Sequence, residues 1–334
     1  MKAYVLHQVN DLKYDEVEMP ICPDGWAIIK VKVTGICSSD IPRIFTKGTY
    51  HFPTIPGHEF SGIVEKVGSI EDRYLIGKRV GVFPLIPCRE CEQCAKGHYE
   101  MCSHYDYIGS RRDGAFAEYV AAPIWNLILL NDNIPFTSAA MLEPLSVALH
   151  AVKMGNVTTG SRVGIVGTGM IGIAAGLWSK KMGAADVTII GRSEDKRELV
   201  ERCGLQYKTT KDYEYDFVLE AVGSTDSISS AIGMTKPGGS LVLMGNPTGD
   251  ILLNQDIYWR ILRKQLHLYG TWNSSYNGTS PSDWTEAVTA MNNGDIDVQP
   301  LISHSFTQER LMDGLALMRD KKEPYCKVMT IWNE

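Results

Sequence analysis

Long hydrophobic runs are missing from this sequence. No stretch approaches the ~18 consecutive apolar residues that a transmembrane helix needs, so none is expected. The opening Met1-Lys2-Ala3-Tyr4-Val5-Leu6-His7-Gln8 turns polar before a signal-peptide core can build, which predicts a cytoplasmic location. Basic stripes are missing too. With 33 Lys and Arg against 39 Asp and Glu, the formal net charge is −6, and no block of like charge occurs. Nucleic-acid binding, which depends on clustered cations displacing counterions, is therefore not expected. Internal repeats and low-complexity tracts are absent. Cysteine is sparse: eight in 334 residues is far from the density of a secreted disulfide scaffold. A chain of this length is expected to form about two domains.

Four of those cysteines are crowded together. Cys88, Cys91, Cys94 and Cys102 lie in one short segment, the first three each separated by two residues and the last by seven. That spacing lets a lobe over residues 88–102 wrap one tetrahedral Zn²⁺ with Zn–S bonds of about 2.3 Å. Four thiolates close the coordination sphere, so this metal is expected to hold structure and perform no chemistry. The lobe's charges are balanced, Arg89 and Lys96 against Glu90, Glu92 and Glu100, unlike a nucleic-acid-binding zinc ribbon. Cys22, Cys203 and Cys326 are isolated.

The first half of the chain reads as β-rich. Short apolar or alternating runs at residues 3–6, 26–34, 61–67, 79–84 and 117–121, broken by Gly and Pro, suggest an all-β barrel. Around residues 139–150 a mostly helical stretch is expected, bent at Pro144. From Ser161 strands and helices alternate: strands at 162–166, 186–190, 217–220, 241–244 and 266–270, helices at 170–182 and 194–202. Such alternation implies βαβ units and a parallel sheet. A helix near 283–291 and a strand at 327–332 suggest a return to the first domain.

The strand Arg162–Val166 runs into Gly167-Thr168-Gly169-Met170-Ile171-Gly172. Alone, this glycine spacing is weak. Between a strand and a helix it gains meaning: Gly167 permits a tight turn, Gly169 lets backbone approach a pyrophosphate, and Gly172 lets helix and strand pack closely. The next strand ends in Gly191-Arg192-Ser193. An NAD enzyme usually presents Asp or Glu there to hold the ribose hydroxyls. Glycine removes that carboxylate and arginine can pair with a 2′-phosphate, which favours NADP over NAD. Alternatively Arg192 is a solvated loop charge and Glu194 or Asp195 serves the ribose.

A second set of metal-ligand types is dispersed: Cys37 in Gly35-Ile36-Cys37-Ser38-Ser39-Asp40, His58-Glu59 after Gly57, and Glu143 before Pro144. Each has a bland reading by itself. Together they offer a thiolate, an imidazole and a carboxylate with a position left open, the pattern of a catalytic zinc.

In this order, the cysteine lobe, the Gly-His-Glu segment and the late glycine loop resemble the zinc-dependent medium-chain dehydrogenases over essentially the whole chain. The segments 41–45, 105–114 and 261–264 are similar to the polyol branch, in particular to dehydrogenases of galactitol 1-phosphate. The resemblance implies an α/β protein: a GroES-like β-rich catalytic domain at 1–147 and 273–334, plus a doubly wound Rossmann parallel sheet at 148–272. It implies two Zn²⁺ per chain, the catalytic ion on Cys37, His58 and Glu143 with Glu59 beside it, binding transiently or orienting the ligands. It places Ser39 as a relay hydroxyl, unless Ser39 only closes a turn. Within the branch NAD is the usual cofactor. The expected reaction is hydride transfer from a secondary alcohol of a polyol phosphate to NAD(P)⁺, giving a ketose phosphate. An unphosphorylated polyol, or a catalytically silent zinc- and NADP-binding protein, is the alternative; the intact ligand set speaks against the silent reading. Arg43, Lys47, Arg111 and Arg112 are candidates for a substrate phosphate, since guanidinium suits phosphate geometry. The expected partner is that small molecule, with a homodimer or homotetramer as the assembly.

Overall fold

A computed structural model describes residues 1–332 apart from Asp212 and Thr248. It divides into two compact units. The first comprises Met1–Glu143, Ser275–Gly294 and the chain from Ile302 onward; the second comprises Pro144–Ser274 and Asp295–Leu301. The sequence boundaries at 147/148 and 272/273 thus move by a few residues, and Asp295–Leu301 leaves the segment assigned to the first domain. Lys181 pairs with Asp295 at 2.5 Å, and the turn Gln299–Leu301 packs on the helix Arg197–Arg202, which fixes that segment to the second unit.

The first unit is organised by one long strand, Trp26–Ile36, whose apolar residues are buried along most of its length. Glu59–Val67 pairs antiparallel along one edge, while Tyr119–Pro123 and Lys327–Ile331 share the other. The last of these is the expected return of the C-terminal chain. The seven-stranded sheet runs out at Ile302–Thr307 on one side and Leu127–Leu129 on the other. Among the described residues no pairing joins those two strands, so the barrel suggested by the strand pattern is an open sheet. Alternating apolar runs report a buried face and carry no information on closure. Register does fix function here: Gly35 lies opposite Glu59, and Val328 opposite Ile36. Three strand ends therefore bring Cys37, His58-Glu59 and Lys327 to one place.

The second unit is a six-stranded, all-parallel sheet. Its strands, counted along the chain as Arg162–Val166, Asp186–Ile190, Gln206–Lys208, Tyr215–Glu220, Thr235–Leu243 and His267–Gly270, lie in the spatial order 3-2-1-4-5-6. This is the doubly wound Rossmann arrangement, with its switch point beside the first strand. The helix Met170–Lys181 covers the sheet, and its Trp178 is buried with Nε1 donating to the Leu145 carbonyl at 3.0 Å.

Two helical expectations change. The stretch 139–150 is not bent at Pro144. A short helix Phe136–Ala139 ends first, and Pro144 sits in the first turn of Leu142–Met154, where its missing N–H leaves no helical bond unmade. The helix expected over 194–202 opens as a tighter turn at Glu194–Lys196 before Arg197–Arg202. No helix of the described residues is long and apolar enough to cross a membrane.

Trp178 provides a test of the second core. Trp178→Ala should lower stability by about 3–5 kcal/mol, through lost burial, a cavity and an unpaired Leu145 carbonyl. The shift in urea midpoint, followed by circular dichroism, measures it; a shift below ~1 kcal/mol would contradict the packing.

Candidate functional site

The sulfur of Cys37, a ring nitrogen of His58 and a carboxylate oxygen of Glu59 all lie within 4.8 Å of one another. Each is held by its neighbours. The Cys37 N–H donates to Asp40 Oδ2 at 2.9 Å, and Ser39 Oγ donates to Cys37 Sγ at 3.2 Å. Asp40 Oδ1 faces His58 Nδ1 at 3.4 Å without a well-formed hydrogen bond. Glu59 forms a buried ion pair with Lys327, which also donates to the Ile36 carbonyl at 3.3 Å. A side chain at Gly35 would overlap the Glu59 carboxylate, so the glycine two residues before Cys37 makes room for it.

Glu143, expected as the third ligand, lies outside that group. Its Oε1 accepts from the Tyr107 hydroxyl at 3.2 Å, and Tyr107 in turn packs on the His58 ring at 5.7 Å between centroids. Glu59 is drawn into the group from its strand end, while Glu143 accepts from a phenol. Burial pushes the Glu143 carboxyl up to about 7, nearby Glu59 adding to the rise. Burial by itself would lower the His58 pKa, but Asp40 and Cys37 push it well above the ordinary value. Tyr107 is raised well above its ordinary value by burial and by Glu143.

Around Cys37 the carboxyl groups of Asp40, Glu59 and Glu143 outnumber the cationic side chains Arg43 and Lys327, so acidic groups are in surplus. A divalent cation neutralises that surplus, and soft thiolate plus imidazole with a carboxylate suits zinc. The residues fit the metal.

The cysteine lobe also fits. A tetrahedron with Zn–S bonds of about 2.3 Å has edges near ~3.8 Å. The Cys88–Cys94 and Cys91–Cys102 sulfurs are 3.9 Å apart and Cys88–Cys102 are 3.4 Å apart. All eight cysteines are free thiols, which removes the disulfide alternative. Backbone N–H groups of Cys94 and Ser103 push the Cys91 thiol down to about 5, toward the thiolate a metal takes, while burial pushes Cys94 up to about 12. The lobe is seated by Trp125, over which Arg89 lies at 4.7 Å and against which Tyr99 packs edge to face at 5.3 Å.

The four basic candidates differ in surroundings. Arg43 Nη1 donates to Ser39 Oγ at 2.9 Å and lies 3.5 Å from Asp40, so it belongs to the Cys37 cluster. Arg111 is sandwiched between the rings of Tyr50 and Tyr105, at 4.2 and 4.4 Å, with its buried Nε unpartnered. Tyr105 packs on Tyr107, which carries Arg111 to within two aromatic rings of His58. Arg112 is tied to Asp106 at 2.6 Å and stacked on Trp26, lining an apolar groove; Lys47 is exposed.

In the second unit the glycine loop has the form expected of it. Gly167 takes φ +132°, a Cβ on Gly169 would meet nothing within 4 Å, and one on Gly172 would overlap the Gly167 carbonyl. Open backbone at Gly169, directly before the helix Met170–Lys181, fits a pyrophosphate. At the end of the second strand Glu194 is bound to Arg197 at 2.5 Å, Ser193 Oγ donates to Asp195 at 3.0 Å, and Arg192 is exposed.

Asp40, Tyr107 and Lys327 were not singled out from the sequence. Lys327 could have been: it is the lone charge between Cys326 and the apolar run Val328-Met329, and a cation entering a buried strand needs an anion beside it. Tyr107 carries no such local signal, since Glu143 is 36 positions away, and Asp40, although it bonds Cys37 and Arg43 nearby, reads as an ordinary turn carboxylate until His58 is seen beside it.

Asp40 should matter for metal retention, because it faces His58 and fixes the Cys37 backbone. Asp40→Asn is expected to weaken zinc binding by about 10–100-fold at the Cys37 centre with the fold retained. Zinc content after dialysis against a graded chelator tests this; unchanged retention would deny the role.

Residues 23–132 match the alcohol dehydrogenase GroES-like domain, and residues 171–293 match the zinc-binding dehydrogenase domain. Galactitol 1-phosphate 5-dehydrogenase of Escherichia coli (strain K12) is 33% identical over 290 residues, covering 83% of this chain and 84% of that protein. Sorbitol dehydrogenase of Bacillus subtilis (strain 168) is 28% identical over 354 residues, covering 100% and 98%. The crystal structure of the Escherichia coli galactitol-1-phosphate dehydrogenase superposes with a TM-score of 0.91 at 32% identity, covering 99% of this chain and 100% of that one. A zinc-binding dehydrogenase from Sinorhizobium meliloti 1021, solved with NADP, gives 0.89 at 26% identity, covering 99% and 98%. With its GroES-like unit, its Rossmann unit and a buried centre that calls for a divalent cation, the chain belongs to the zinc-dependent medium-chain dehydrogenases, as an NAD(P)-dependent alcohol and polyol dehydrogenase.

Proposed function

We propose that this dehydrogenase oxidises a secondary alcohol of a polyol phosphate, of the galactitol 1-phosphate type, to the corresponding ketose phosphate. The observation that carries the reading is Arg111: a guanidinium pinned between two tyrosine rings, two rings away from the metal-ligand cluster, with a donor still unpartnered. Stacking and a bond from Nη1 to the Tyr105 carbonyl at 3.1 Å hold the guanidinium in one orientation, which pre-organises its remaining donors for an anion. Arg43 is the second candidate, although Ser39 and Asp40 already engage it; Arg112 and Lys47 are the weaker ones.

In this reading Cys37 and His58 hold one zinc with a carboxylate, either Glu143 turned from the Tyr107 hydroxyl to the metal or Glu59, which already lies in the group, and Cys88, Cys91, Cys94 and Cys102 hold the other. When bound, the first supplies a Lewis acid that lowers an alcohol's pKa, and the dinucleotide supplies the hydride acceptor. The Ser39 hydroxyl bridges Cys37 and Arg43 and is placed to pass the alcohol's proton outward. Lys327 neutralises Glu59, which keeps that carboxylate available beside the metal without adding net charge.

The unphosphorylated polyol is the second reading, favoured by the engagement of Arg43 and Arg112 with carboxylates of their own. A homodimer or homotetramer is supported by the outer strand His267–Gly270, whose free edge exposes Leu268 and Tyr269. Eight free thiols support a reducing, cytoplasmic setting.

Arg111→Met should raise KM for galactitol 1-phosphate by about 10–100-fold and barely alter turnover of free galactitol, since charge-assisted hydrogen bonds contribute about 1.5–3 kcal/mol. Equal effects on both substrates would favour the simple polyol. Cys91→Ser should remove one of two zinc ions and promote aggregation; mass spectrometry showing two retained ions would refute the four-cysteine site.

A further inference from the structure

The end of the second Rossmann strand is closed to the acidic side chain of an NAD-type site. A Cβ added to Gly191 would overlap the Tyr207 hydroxyl, stand 2.6 Å from Tyr207 Cζ and 3.0 Å from Thr168 Cγ2. The phenol cannot easily move. Tyr207 is 5% exposed, its hydroxyl donates to the Ser193 carbonyl, and its backbone is locked in register opposite Ile189. Arg197 lies 5.1 Å from the ring and donates to the Tyr207 carbonyl at 3.2 Å, while also pairing with Glu194 and Glu201. The absence of an acidic residue at 191 is therefore enforced by a residue sixteen positions later, from the neighbouring strand.

The acidic residues that could stand in are occupied. Glu194 is held by Arg197, and Asp195 accepts from Ser193. The loop between them is shaped by the Tyr207–Ser193 bond, which leaves Arg192 exposed at the tip.

We propose that Tyr207 determines cofactor specificity: its phenol fills the space an Asp or Glu at 191 would need, so the adenosine-ribose pocket admits a 2′-phosphorylated dinucleotide. An acidic side chain there would receive ribose hydroxyls and repel a 2′-phosphate. With the position filled by a phenol, that carboxylate's repulsion is absent, and Arg192 follows directly in the chain to offer a cation. The proposal rests on the dinucleotide reading of the glycine loop and adds to it a residue outside any glycine-loop pattern.

Binding can be read without turnover, by the fluorescence of NADPH and NADH titrated with purified enzyme, alongside thermal melting. Wild-type protein should bind NADPH more tightly than NADH. Gly191→Asp alone should lower the melting temperature and weaken both dinucleotides by at least tenfold, since the new side chain must displace Tyr207. Adding Tyr207→Leu, which shortens the side chain and keeps it apolar, should restore melting and make NADH the tighter ligand by at least tenfold.

A second pair guards against a variant that does not fold. Gly191→Ala should lower the melting temperature in the Tyr207 background and have little effect beside Tyr207→Leu. Wild-type protein that binds neither dinucleotide would refute the cofactor reading itself. Wild-type protein that prefers NADH, a Gly191→Asp single variant that melts normally and takes up NADH preference, or a Gly191→Ala penalty equal in both backgrounds, would overturn the role of Tyr207 alone.

Discussion

Buried negative charge is the constraint around which the catalytic unit is built. Asp40, Glu59 and Glu143 are all withdrawn from water, and Cys37 lies against them. Ionised groups in such surroundings are costly unless opposite charge is near. Arg43 and Lys327 offset part of it; Asp40 and Cys37 raise the proton affinity of His58, while burial first and Glu59 second raise that of Glu143. A centre of this composition is unfinished without a cation, and every neighbouring feature follows from that. The glycine at 35 clears space for a carboxylate, the tyrosine at 107 gives Glu143 a donor, and two strand ends deliver a ligand and a counter-charge to one level.

The second metal lobe meets a different demand. Its chain is short and has almost no core of its own; only Cys94, Glu100 and Cys102 among residues 88–102 are buried. Packing on Trp125 anchors one side, and the four sulfurs supply the rest of the geometry. Metal binding in such a segment is folding free energy in another form. The two sites therefore ask different things of one ion, closure in the lobe and an open position at Cys37.

Much of this was legible in the chain itself. The cysteine spacing and the strand-turn-helix around Gly167 stand out because local spacing carries their chemistry, whereas Cys37, His58, Glu59 and Glu143 are dispersed and are picked out only as a joint set of ligand types. Strand runs such as 162–166 and 186–190 were placed to the residue because they are buried on both faces and bounded by turns. What was hidden depends on long-range pairing. An open sheet and a barrel share the same alternation, and only register shows which strands meet. Lys327 reaches Glu59 across 268 positions, and Tyr107 reaches Glu143 across 36. Gly191 was visible as the lack of a carboxylate, but the reason for that lack, Tyr207, sits on another strand.

The crowding between Gly191 and Tyr207 also bears on how such a pocket can change over generations. Position 191 is closed while Tyr207 stays, whereas Tyr207 can shrink beside a glycine, so the route between cofactor preferences is directional: the aromatic ring must shrink before the carboxylate can enter. The reverse order would pass through a form in which the new side chain overlaps the Tyr207 hydroxyl. Libraries that vary position 191 alone would meet the same barrier, and the landscape opens once the neighbouring strand is varied first or together with it.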